Sequence, residues 1–99
     1  MDKNKTIQLI SSRYDILAQE YAVAKIGIFG SAVKGTMTEG SDLDIYVEFK
    51  KPIGFKFIEF VEYLENLFGR KVDVLTKEGI KNIRVKKVAQ EIERSLIYV

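Results

Sequence analysis

The sequence predicts an α/β fold of the α+β kind: a small mixed β-sheet with helices packed on it. Three observations carry this expectation. Short apolar or alternating runs of six to eight residues, too short for helices, recur between longer stretches in which apolar residues return every three or four positions. Strand-like and helical segments alternate along the chain, which favours layers of helix and sheet around a shared core. The composition, 46% hydrophobic with six phenylalanines, five tyrosines and one proline, suits a packed interior rather than a disordered chain. With 99 residues a second core would leave two halves too small to be stable, so residues 1–99 are expected to form a single domain.

Taken in order, Ile7, Ile10, Tyr14, Leu17, Ala18 and Tyr21 fall on one helical face and predict a helix from about Lys5 to Tyr21. Ala24 to Phe29 is a buried strand that ends at Gly30. Gly30 to Gly40 holds three glycines with Ser31, Thr36 and Thr38, and reads as a loop with one helical turn. From Asp42 to Phe49 the pattern alternates, with Leu43, Ile45, Val47 and Phe49 on an apolar face and Asp42, Asp44, Tyr46 and Glu48 on a polar one. Lys50 to Gly54, with Pro52, breaks this strand. Phe57, Phe60, Val61, Leu64, Leu67 and Phe68 then follow helical spacing up to Gly69, a C-terminal cap. Lys71 to Thr76 is a further short strand, with Asp73 opposite Val72 and Val74. Val85, Val88, Ala89, Ile92 and Leu96 mark a last amphipathic helix, and Leu96 to Val99 an edge strand. Most aromatics on the helices, among them Phe55, Phe57, Phe60 and Tyr63, are expected in the core.

Several function classes fall away. Without cysteine or histidine there is no disulfide, no thiolate metal site and no imidazole base, so any catalysis must use carboxylates, hydroxyls, lysines and metal. No run approaches the length of a membrane-spanning segment, and a cytoplasmic protein with no membrane association is expected. The net charge of +2 does not indicate nucleic acid. Its distribution is uneven, however: Arg70 to Arg94 carries eight lysines and arginines against four acids. That stretch reads either as a solvated face or as a contact surface for phosphate or an acidic partner.

Asp42 and Asp44, two apart on one strand, project from the same face. Two neighbouring anions repel, a cost that a divalent cation between them removes. Hard oxygen donors with no Cys or His nearby favour magnesium or manganese over zinc. If the strand carrying Asp73 lies alongside, its carboxylate joins them, and three carboxylates on one face suit two metal ions and in-line displacement at phosphorus. Gly30 and Ser31 stand where a strand yields to a loop, the place for a phosphate cradle of backbone N–H groups and a hydroxyl. Lys34 adds a charge for a triphosphate, and Gly35 lets the loop return.

Gly30-Ser31, ten intervening residues and then Asp42-Leu43-Asp44, with Ser41 before the first aspartate, resembles the signature of the DNA polymerase β nucleotidyltransferase superfamily. The small size and the pattern from Ile26 through Asp73 to Tyr98 are similar to the minimal nucleotidyltransferases of bacteria and archaea, so the resemblance covers nearly the whole chain. It implies a polymerase β palm-like fold. It also implies that Asp42 and Asp44 bind two Mg2+ ions, and that Asp73 binds the catalytic one and helps deprotonate an acceptor hydroxyl. Gly30 and Ser31 would hold the β and γ phosphates of ATP or another NTP, with Lys34 and Ser41 beside them. Lys34 stands where the family usually has arginine, so the charge is kept and the bidentate fork is lost. Members often sit beside a HEPN-domain protein, and some are antitoxins that attach AMP to a tyrosine of it. Two other readings stay open: a silent module that neutralises such a partner by occlusion, and a transferase for a small molecule such as an aminoglycoside, bound between the subunits of a homo-oligomer.

Overall fold

The computed structural model describes residues 2–99. Along the chain run α1 (Lys3–Ser12), α2 (Tyr14–Tyr21), β1 (Val23–Phe29), α3 (Ser31–Lys34), β2 (Leu43–Phe49), α4 (Lys56–Phe68), β3 (Val72–Thr76), α5 (Lys77–Lys81), α6 (Lys86–Ser95) and β4 (Ile97–Tyr98). The strands form one mixed sheet in the order β3-β2-β1-β4. β1 is antiparallel to both β2 and β4, whereas β2 and β3 are parallel. A parallel pair cannot be closed by a tight turn, and α4 is the crossover that joins it. Among the described residues no helix is long and apolar enough to cross a membrane.

The sheet has two different faces. Ile26 and Ile28 of β1 and Leu43, Ile45 and Val47 of β2 are fully buried against Ile10, Leu17, Phe60, Leu64 and Phe68 of the helices. Phe60 anchors this layer through edge contacts with Tyr21 and Phe49, at centroid distances of 5.6 and 5.3 Å. On the other face Phe29 and Tyr46 are buried with Ile80, and Leu75, Ala89, Ile92 and Leu96 pack against them. α5 and α6 thus cover the middle of that face and leave one end of it open.

Four expectations need correcting. The helix expected over Lys5–Tyr21 is two helices that meet at Arg13, whose N–H bonds to the Ile10 carbonyl and whose carbonyl accepts from Leu17. No glycine or proline signals this break; tertiary bonds fix it, including Tyr14 Oη to the Ala24 carbonyl at 2.9 Å. The short helix α5 was not expected at all, although Thr76 caps it by accepting from the Gly79 N–H. Tyr46 sits on the expected polar face yet is only 4% exposed, because α5 and α6 roof it. Phe55, expected in the core, is 92% exposed just ahead of α4. The edge strand and the helical turn after Gly30 are present as expected.

Candidate active site

Asp44 lies on β2 directly beside Asp73 of β3 in the parallel register, and Phe29 of β1 flanks it on the other side. Neighbouring strands lie about 4.8 Å apart, so two carboxylates leave the same sheet face as close neighbours. Asp42 does not belong to the strand, which starts at Leu43; it is exposed in the connection leading in. Burial raises the Asp44 pKa above the ordinary carboxylate value, and the charges of Asp73 and then Asp42 raise it further. All three acids are therefore within electrostatic reach of one another. Among the described residues none of the three accepts a side-chain hydrogen bond, and no group of three Asp, Glu, His or Cys side chains is already closed into a metal cage. The donors themselves are hard oxygens, chemically suited to Mg2+ or Mn2+, and they carry mutual repulsion that a cation would relieve.

The glycine of the cradle is dictated by Asp44. Gly30 has φ +67° and ψ −139°, and a Cβ added there would run into Oδ2 of Asp44. Its carbonyl accepts from the N–H groups of Val33 and Lys34, both at 3.1 Å, which turns the chain into α3 at once. The first N–H groups of that turn, on Ser31 and Ala32, have no partner within the helix and are available as donors. Gly35, at φ +75°, ends the turn. Ser31, Lys34 and Met37 line a groove of about 380 Å³ together with Asp2 and Lys3 at the start of α1. Lys34 is exposed there and free to reach an anion.

Ser41 is placed differently from expectation. Its Oγ accepts from the Thr38 N–H at 3.1 Å and bonds the Thr38 hydroxyl at 3.0 Å, so it closes the loop instead of facing the groove. Arg70, which the sequence presents only as one charge in a basic run, has a specific task beside it. Its Nη1 donates to the carbonyls of Thr38 and Ser41, each at 3.3 Å, while the Leu43 N–H bonds the Lys71 carbonyl at 3.0 Å. The connection carrying Asp42 is thereby tied to the segment that leads to Asp73. The one available hint was the position of Arg70 directly after the helix-ending Gly69.

A family model described as a nucleotidyltransferase domain matches residues 11–99. The chain belongs to the nucleotidyltransferase family. It is accordingly a nucleotidyltransferase. Among relatives, it is 43% identical over 95 residues to a candidate protein adenylyltransferase of Methanocaldococcus jannaschii, covering 93% of this chain and 92% of that one. It is 42% identical over 84 residues to the protein adenylyltransferase MntA of Thermococcus cleftensis, covering 84% and 81%. The fold is that of a solved minimal nucleotidyltransferase candidate, at TM-score 0.76 and 23% identity over 98% of this chain and 95% of the other. A toxin–antitoxin crystal structure with AMP-PNP matches at TM-score 0.63 and 20% identity, over 99% of this chain and 72% of that one.

Proposed function

We propose that this nucleotidyltransferase moves AMP from ATP to the hydroxyl of a tyrosine on a HEPN-domain partner, and so acts as an antitoxin. The observation that carries the chemistry is the meeting of Gly30 with the Asp44 carboxylate, beside Asp73 in register. The acceptor is supported by the relatives, which are named protein adenylyltransferases.

In this reading the N–H groups at the start of α3 and the Ser31 hydroxyl hold the β and γ phosphates, and Lys34 adds charge at their outer side. Asp42, Asp44 and Asp73 would hold two Mg2+ ions. When bound, the ions neutralise the departing pyrophosphate and acidify the attacking hydroxyl. Asp73, exposed beside Asp44, takes the phenolic proton. The bond from the phenolic oxygen to the α-phosphorus forms as the bond from that phosphorus to pyrophosphate breaks. Positioning and charge stabilisation supply the rate, since the side chains form no covalent intermediate.

The test is incubation with ATP labelled at the α-phosphate, Mg2+ and the HEPN protein encoded next to this chain. Label on a tyrosine of that protein is expected, and Asp44→Ala should remove it. Absence of label with each of the four NTPs, alongside a tight complex that Asp44→Ala leaves intact, would point to occlusion and end the enzymatic reading of the partnership.

A further inference from the structure

The open sheet face is organised in rows across the strands. Gly30, one residue beyond Phe29, lies level with Leu43 at the N-terminal end of β2. Phe29, Asp44 and Asp73 form the next row, and Gly27, Tyr46 and Leu75 the one after, with Tyr98 beside Gly27. The phosphate cradle and the Tyr46 row therefore lie on opposite sides of Asp44 along the strand axis. Tyr46 is two residues past Asp44, about 6.7 Å at the usual strand rise.

A cavity of about 280 Å³ opens on the Tyr46 row. Tyr46 and Tyr98 line it and meet edge to face at 6.0 Å, across a strand position where Gly27 contributes no side chain. Ile80 and Leu96 supply apolar lining, and Lys77 and Lys81 stand four apart on α5, hence on one side of it. The volume is just below the roughly 300 Å³ at which small-molecule sites begin, which suits one inserted side chain better than a whole cofactor.

In-line displacement sets the attacking oxygen and the departing pyrophosphate on opposite sides of the α-phosphorus. With pyrophosphate held at Gly30 and Ser31, the attacking hydroxyl approaches from the Tyr46 side. We infer that this cavity is the acceptor site: it takes a tyrosine side chain of the partner polypeptide, with acidic residues flanking that tyrosine set against Lys77 and Lys81. The inference rests on the adenylyl-transfer reading for its direction of attack. The aromatic lining matches a phenol ring by edge and face contacts. The charge matches as well, since residues 77–87 carry Lys77, Lys81, Arg84, Lys86 and Lys87 against the single acid Glu78.

Two measurements test this separately from transfer itself. In the first, a peptide with one tyrosine between glutamates is titrated into the 15N-labelled chain. Shifts are expected at the amides of Ile80, Leu96 and Tyr98, and weaker ones with lysines in place of the glutamates. No shift at these amides at millimolar peptide, or equal binding of both peptides, overturns the site whether or not transfer occurs. In the second, Lys77→Ala combined with Lys81→Ala should raise the KM for the protein acceptor about tenfold, with Mg-ATP affinity by calorimetry within twofold of the parent. Restoring charge with Lys77→Arg and Lys81→Arg should recover most of the loss. A fall in Mg-ATP affinity with an unchanged acceptor KM would assign the cavity to the nucleobase and overturn the inference. If the parent chain transfers nothing while the peptide binds as expected, the transfer reading fails and the site stands.

Discussion

Asp44→Asn should stabilise the metal-free protein while abolishing transfer. Asn keeps the shape that fits against Gly30 and removes a charge held beside Asp73 and near Asp42. Two unit charges about 5 Å apart repel by ~3 kcal/mol at the effective dielectric of a protein surface and by ~0.8 kcal/mol in bulk water. Asp73 is exposed, so screening places the gain near the lower figure, about 1 kcal/mol. For a domain of this size that raises Tm by roughly 4–8 °C. The sign follows from linkage: a carboxyl whose folded pKa is raised favours the folded state when protonated, and that benefit is lost as pH rises through the folded value. The advantage of the Asn variant should therefore be absent below the unfolded aspartate pKa of about 3.9 and develop as pH increases past the raised value. Thermal unfolding in low salt with EDTA, repeated across pH, reads this directly. Added Mg2+ should stabilise the parent and not the variant. A variant Tm equal to or below that of the parent at neutral pH, with no dependence on pH, would refute the claim that these carboxylates repel one another in the fold.

Gly30→Ala should destabilise the fold by about 1–3 kcal/mol, the cost of holding a side chain in glycine-only backbone space, and should displace Asp44 enough to abolish transfer; urea unfolding and the labelled-ATP assay check both, and an active variant of parental stability would dismiss the contact. Arg70→Ala should cost about 1 kcal/mol, quicken hydrogen exchange between Thr38 and Leu43, and weaken Mg2+-dependent nucleotide binding, with Lys at 70 partly restoring it; unchanged exchange in that segment would show that the arginine does not hold the loop.

Much of the architecture was legible because it follows from local pattern. Alternation from Leu43 to Val47 marks a strand with one buried side, and all three of its apolar residues are fully buried. The helical spacing of Phe60, Leu64 and Phe68 marks the buried stripe of α4, and Gly69, at φ +66°, ends it as expected. Where the pattern misled, a distant segment decided. Tyr46 reads as solvent-facing because its strand neighbours are acids, and only the packing of α6, dozens of residues later, buries it. Phe55 reads as core and lies outside, since a turn residue ahead of the helix need not share the helix's buried face.

The cradle and the carboxylates divide in the same way. The sequence by itself determined the residue types and their spacing: Gly30 and Ser31 after a strand, and acids at 42, 44 and 73, with no other groups available for hydrolytic or thiol chemistry. Only the tertiary structure decided that β3 lies parallel to β2 with Asp73 level with Asp44, because register is set by the crossover helix and the buried faces of both strands. The same holds for the close approach that forbids a side chain at Gly30, and for the arginine that ties Asp42's loop to β3. Each joins residues distant in sequence, and no local periodicity records such a meeting.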